Sequence, residues 1–272
     1  VSGVDGRQGV REKRSIERLQ QFRRYKMKRG MMVAVMGLAM VGSVAWGQDA
    51  KPRAGKKVAA ARTEESAVTP VVHLPERHDE NMKRKEEGKI GLLFIGDSIM
   101  DRWPKFGTDT WEKFKPYDVA DFGVGGDTTE NVLWRIDHGE LDGLNPKVTI
   151  IMIGTNNIGH AGGEKPAWAA AGVKKVLDEV HEKMPETKVL LLGVFPRDVK
   201  GSDKRDRAEA INPIISKFGD EKNTTYLDIG KVFLDENGEI PKDVMGDKLH
   251  PTAKGYQLWY DAMWPTLEGM LK

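Results

Sequence analysis

From Lys89 onward the chain alternates short unbroken apolar runs with longer segments in which apolar residues recur every three or four positions. Ile90–Ile95, Val119–Phe122, Val148–Ile153 and Val189–Val194 are four such runs, and Tyr226–Leu227 with its neighbours is a brief fifth. A strand covered by helices on both faces has no polar side, so runs of this kind predict a buried parallel sheet. The helical segments lie between them. Thr128–His138 sets Val132, Leu133 and Ile136 on one face, and Pro166–Lys183 carries Val173, Val176, Leu177 and Val180 at the i, i+3, i+4, i+7 spacing. Asp203–Phe218 continues the pattern with Pro213 inside it, where a kink is expected, and Thr252–Leu271 closes the domain. Strand and helix alternate five times, which predicts an α/β domain with a three-layer, doubly wound parallel sheet of flavodoxin-like architecture.

In such a sheet every strand ends at the same edge, and ligands bind there. The segments that follow the strands are polar or glycine-rich: Gly96-Asp97-Ser98, then Gly123-Val124-Gly125-Gly126-Asp127, then Gly154-Thr155-Asn156-Asn157, then Phe195-Pro196-Arg197. Asp247 and His250 precede the last helix. A serine needs a base to become a nucleophile, and an imidazole base needs a partner to hold its tautomer. Ser98, His250 and Asp247 supply those three types. An oxyanion formed on attack needs donors already in place; the Ser98 N–H, the backbone at Gly125-Gly126 and the Asn156 amide are candidates. Each residue also has a plainer reading: Ser98 or Asp97 as a helix cap, Gly125-Gly126 as a tight turn, Asn156-Asn157 as a turn after a strand. Capping accounts for neither Asn156 nor His250. Thr252 competes with Asp247 to cap the last helix, which leaves Asp247 free for the histidine. Asp97 is expected to hold its loop by accepting backbone N–H groups. Arg197 could wall a pocket, bind an anionic group or simply be solvated.

Gly96-Asp97-Ser98-Ile99, Gly126, Gly154-Thr155-Asn156-Asn157 and Asp247-x-x-His250 resemble the four blocks of the SGNH (GDSL-type) hydrolases. Phe122 to Thr129, Val132 to Ile136 and Gly139-Glu140-Leu141 resemble most closely the catalytic-subunit-like branch of the platelet-activating-factor acetylhydrolases. The resemblance runs from about Lys89 to Leu271. It implies the SGNH hydrolase fold, Ser98 as nucleophile, Asp247 and His250 completing a triad, and Ser98, Gly126 and Asn156 forming the oxyanion hole. It implies no metal and no organic cofactor. Its acetylhydrolase members dimerise, so a homodimer is carried as an expectation. Ile99 stands where the motif that names the family has Leu, an apolar exchange that leaves the chemistry alone.

Charge and composition add a second layer. Residues 1–47 hold ten Lys/Arg and three Asp/Glu, against 43 and 41 in the whole chain of net charge +2. The basic character therefore belongs to the leader and the remainder is net acidic, which argues against a nucleic-acid partner. No cysteine is present, so disulfides, thiolate metal sites and cysteine nucleophiles are excluded. Lys28-Arg29, the apolar stretch Met31 to Val44 and Ala45-Trp46-Gly47 before Gln48 have the layout of a signal peptide over residues 27–47, too short in its apolar part for an ordinary membrane span. Residues 1–26 fit no such pattern and are expected to be upstream sequence read in frame before Met27. Residues 48–75, rich in Ala, Lys, Thr and Pro without periodicity, read as a flexible linker, and 76–272 as the hydrolase domain. His73, His78, His138, His160 and His181 show no metal-ligand spacing.

These readings converge on an exported serine esterase cleaving short acyl groups, acetyl foremost, from a carbohydrate or lipid, with no stable membrane span after signal cleavage. Carbohydrate is preferred because no long apolar insertion suggests a lipid surface. The alternative from another class is a non-catalytic flavodoxin-like module that holds a phosphate or flavin at its glycine-rich loops. Such a module has no use for the His250–Asp247 pair.

Overall fold

The structure is a computed structural model that describes residues 62–159, 163–220 and 223–272. The signal-like leader, most of the expected linker and His160 lie outside them. Before the sheet come helices α1 (Glu64–Val68) and α2 (Pro75–Glu86). The strands are β1 (Leu92–Gly96), β2 (Val119–Asp121), β3 (Val148–Met152), β4 (Lys188–Leu192) and β5 (Thr224–Leu227). All pairings are parallel in the order β2-β1-β3-β4-β5, the doubly wound sheet that the apolar runs predict.

Alternation within each run sends its residues to two cores. Leu93 and Ile95 of β1 join Val132, Val173, Val176 and Ile211 on one face, while Leu92 and Phe94 join Trp103, Phe114, Tyr256 and Trp259 on the other. The first face is covered by α6 (Thr129–Asp137), α8 (Pro166–Lys183) and α9 (Asp203–Ile215), the second by α10 (Ala253–Leu271). The expected extension of α9 to Phe218 does not form; beyond Pro213 the helix lasts to Ile215 and tightens into a 3₁₀ turn over Ser216–Asp220. Between β1 and β2 the chain makes only single turns of helix, α3 (Ser98–Asp101), α4 (Trp103–Phe106) and α5 (Thr108–Trp111), before a 3₁₀ turn over Glu112–Tyr117. Pro104, Gly107 and Pro116 punctuate this stretch. Its aromatic residues fasten it to α10: Trp103 lies 4.2 Å from Trp259 and 5.2 Å from Tyr256, ring centre to ring centre.

Residues 62–75, read as linker from composition, are instead a packed part of the domain. Thr63 and Ser66 form a reciprocal capping box for α1, and Ala67 is fully buried. Gly172 of α8 makes room for this, since a Cβ there would stand 2.7 Å from the Ala67 carbonyl oxygen. The attachment runs along the start of α6. Thr129 Oγ1 donates to the Ala67 carbonyl (2.7 Å), the Val71 N–H donates to the Glu130 carbonyl (3.0 Å), and Asn131 Nδ2 donates to the Val71 carbonyl (2.9 Å). Arg62 bridges two buried carboxylates, Glu130 and Glu164. Polar groups hold the segment, so it carries no apolar periodicity to reveal it.

Removing the arginine strands two buried charges. Arg62→Ala is expected to lower the unfolding free energy by about 2–3 kcal/mol, less than for a fully buried pair because 24% of its side chain is exposed. A urea-denaturation shift below about 0.5 kcal/mol, the range of an exposed ion pair, would show that the carboxylates do without it.

Candidate active site

The C-terminal edge of the sheet gathers the residues singled out above. β1 stops at Gly96, and Asp97 caps α3 by accepting the Ile99 N–H on Oδ1 at 2.9 Å. Ser98 is thereby the first residue of that helix, and its Oγ lies 2.9 Å from His250 Nε2. His250 Nδ1 lies 2.6 Å from Asp247 Oδ2. An ionised carboxylate only accepts, so Nδ1 carries the hydrogen and Nε2 is left to accept from the serine.

Asp247 also organises its own turn. Its Oδ1 accepts the N–H groups of Leu249 (3.0 Å) and His250 (2.8 Å), with Lys248 in the left-handed region at φ 58°. Partial burial opposes ionisation of Asp247, but the His250 ring and these N–H groups outweigh it and hold the carboxyl below the ordinary aspartate range. Thr252 caps α10 by accepting the Gly255 N–H, so the cap and the histidine partner are different residues. Tyr256, one turn into α10, donates to the Ile99 carbonyl at 2.8 Å and ties the histidine-bearing end of the chain to the serine turn.

The two other expected donors sit on neighbouring loops. Gly126 has φ 84°, a conformation that suits glycine, and a Cβ there would stand 3.2 Å from the His73 ring. A Cβ at Gly125 would stand 4.0 Å from the Ser98 Cβ, so this glycine loop runs beside the serine. Asn156 lies on α7 (Thr155–Gly159) and donates through Nδ2 to the Asp127 carbonyl at 2.8 Å. Its amide has a second N–H. Asn157 is a buried clamp: its Oδ1 accepts the Thr129 N–H (3.0 Å) and its Nδ2 donates to Glu164 (3.1 Å). The structure thus brings Ser98, His250 and Asp247 into one hydrogen-bonded line and sets the Gly126 and Asn156 loops side by side. The connectivity can pass a proton from a serine to an imidazole whose other nitrogen is anchored.

Arg197 is not a solvated loop residue. It is 8% exposed and donates from Nη1 to the Thr155 carbonyl (2.7 Å) and hydroxyl (3.0 Å), bracing the turn that carries Asn156. Burial pulls its pKa down. Sequence reasoning assigned no role to four residues that meet here: Arg102, whose Nη1 lies 4.0 Å from Asp247 Oδ2; the buried pair Asp127–Arg135, joined at 2.8 Å; and His73, which reaches Asp127. Arg135 stands eight positions, about two helical turns, after Asp127, but nothing local marks the two as partners. Among the described residues no group of acids and histidines is arranged to hold a metal ion, and no helix is long and apolar enough to cross a membrane.

Burial raises the Asp97 carboxyl to about 7, against the Ile99 N–H and with Asp127 adding to the rise. The folded protein therefore keeps a proton there that the unfolded chain releases near pH 4. On account of this group, stability is greatest below about pH 4 and declines as pH rises toward 7. Asp97→Asn keeps an oxygen for the Ile99 N–H and removes the titration. Chemical denaturation at pH 4.5 and 7.5 is expected to show a smaller loss of stability toward neutral pH in the variant than in wild type; an identical loss would mean that Asp97 is ionised throughout.

The GDSL-like lipase/acylhydrolase family model matches residues 94–258. Platelet-activating factor acetylhydrolase IB subunit alpha2 of Rattus norvegicus is 34% identical over 167 residues, 61% of this chain and 70% of that protein. Among solved structures, a GDSL-like lipase from Bacteroides thetaiotaomicron superposes with a TM-score of 0.58 at 20% identity, covering 72% of this chain and 97% of that one. An acetylxylan esterase from Geobacillus stearothermophilus superposes at 0.51 with 18% identity, covering 65% and 94%. The two structures share the fold.

Proposed function

The chain belongs to the GDSL-like lipase/acylhydrolase family and is a carboxylic ester hydrolase, and we propose that it is an exported serine esterase that removes acetyl groups from carbohydrate esters. The Ser98–His250–Asp247 line carries this reading. In it, Ser98 Oγ attacks the ester carbonyl carbon as His250 Nε2 takes its proton. The carbonyl oxygen becomes an oxyanion, received by the N–H groups of Ser98 and Gly126 and by the Asn156 amide. Collapse breaks the bond to the alcohol oxygen, which leaves with the proton from His250. A water then hydrolyses the acyl-serine by the same route. Asp247 keeps the ring oriented and offsets the charge of the imidazolium.

Acetyl is chosen for the acyl group because a relative 34% identical is named an acetylhydrolase subunit. Carbohydrate is preferred for the alcohol because the described residues include no long apolar insertion around the site. One observation favours a lipid instead: Val71, Val72 and Leu74, which flank His73 beside the glycine loop, are 49%, 48% and 38% exposed. Export rests on the layout of residues 27–47.

The first test is turnover of p-nitrophenyl acetate and longer homologues by wild type, Ser98→Ala and Asn156→Ala, all expressed from Gln48. Activity is expected to fall with acyl length, to vanish without Ser98, and to drop about 10²–10³-fold in kcat without Asn156. Acetylated xylo-oligosaccharide is expected to outrun an acetylated glycerophospholipid; the reverse order selects the lipid. An active Ser98→Ala or an unimpaired Asn156→Ala removes that residue from its role. A folded wild type that turns over no ester favours the binding module. Export has its own readout: N-terminal sequencing of the mature protein from its native host is expected to begin at Gln48, and a peptide from residues 1–26 would contradict it.

A further inference from the structure

His73 lies outside the matched family region, on the segment 62–74 that the charge and hydrogen-bond network pins to α6. Its main-chain carbonyl accepts from Arg135 Nη2 at 2.8 Å, which fixes where the residue stands. Its ring Nδ1 lies 2.8 Å from Asp127 Oδ1. Asp127 does not need the histidine for its charge. Arg135 already reaches both carboxylate oxygens, Nε to Oδ2 at 2.8 Å and Nη2 to Oδ1 at 3.1 Å, with both side chains buried. The carboxylate can only accept, so Nδ1 bears the hydrogen and Nε2 of the neutral ring is an acceptor.

That nitrogen has no hydrogen-bond partner among the described residues, and 36% of the side chain is exposed. It lies against the oxyanion loop, with Nε2 3.7 Å and Cε1 3.2 Å from where a Cβ of Gly126 would be. The same loop meets Ser98 at Gly125. Ser98 and His73 therefore flank one pair of glycines, beside which Asp127 holds an acceptor that no described residue satisfies.

We propose that His73 is a positioning residue for the alcohol half of the substrate, its Nε2 accepting a hydrogen bond from a free hydroxyl next to the esterified carbon. The site then selects esters of vicinal diols, as in a partly acetylated sugar. A glycerophospholipid with both neighbouring oxygens substituted offers no such donor. An ester lacking the hydroxyl leaves Nε2 covered and unpaired. The preference is modest because water still reaches the exposed part of the ring, about three- to tenfold for one neutral hydrogen bond.

The inference rests on the esterase reading and is tested with two acetates of one carbon skeleton, 2,3-dihydroxypropyl acetate and propyl acetate. Wild type is expected to favour the diol in kcat/KM. In His73→Asn, whose amide can still donate to Asp127 but has nothing at the Nε2 position, that ratio is expected to fall by about three- to tenfold, chiefly through KM. His73→Gln, whose amide reaches the Nε2 position, is expected to recover part of it. A wild-type ratio near one, or a ratio unmoved in both variants even where both lose activity on both esters, overturns the proposal and leaves the esterase reading standing. A folded wild type that cleaves neither acetate nor p-nitrophenyl acetate overturns both.

Discussion

Five parallel strands with helices on both faces force every strand-to-helix turn onto one edge of the sheet, and the site depends on that constraint. Leu92 and Phe94 fill one core while Leu93 and Ile95 fill the other, so β1 has no freedom to slip by a residue without exchanging its faces. Its register against β3, from Leu92 with Val148 to Gly96 with Met152, fixes where the serine turn stands relative to the turn that carries Asn156. β2 pairs on the other side of β1, so the Gly125-Gly126 loop arrives from the opposite flank. β1 thus receives a neighbour's loop on each side.

The turns themselves are held by polar groups, which is demanding at a buried edge. Asp97 is 1% exposed, Asp127 and Glu164 are fully buried, and each sits where an unpaired charge would be strongly destabilising. The responses differ. Asp127 is paired with Arg135, the two glutamates share Arg62 and Asn157, and Asp97 is pushed toward its neutral form. Asp247 stands at the other extreme: more exposed, fed by two N–H groups and an imidazole, and kept ionised. Two aspartates, one next to the serine and the other three residues before the histidine, thus have opposite protonation tendencies, because the first caps a buried helix and the second faces water.

Segment 62–74 extends this polar framework beyond the region that the family match covers. It contributes Arg62 to the glutamates, a carbonyl to Asn131 and the His73 ring to Asp127. At the glycine loop it adds the His73 ring, with the exposed Val71, Val72 and Leu74 next to it in the chain. Under the proposal for His73, the choice of alcohol belongs to a part of the chain outside the matched family region.

The sequence by itself determined the sheet, the long helices and the identity of the central residues. Pro166–Lys183 forms as its i, i+3, i+4, i+7 spacing predicts, and Gly96-Asp97-Ser98, Asn156 and Asp247-x-x-His250 were legible because each is a compact motif at the end of a predicted element. Local patterns carry such information since helix and strand periodicity are properties of neighbouring residues. Tertiary structure alone decided the rest. Arg62 meets Glu130 and Glu164 across 68 and 102 positions, His73 meets Asp127 across 54, and Tyr256 meets Ile99 across 157. Such partners leave no period in the chain. The short turns of α3 to α5, the burial of Arg197 and the docking of residues 62–75 depend on which long-range polar and aromatic groups the fold brings to them.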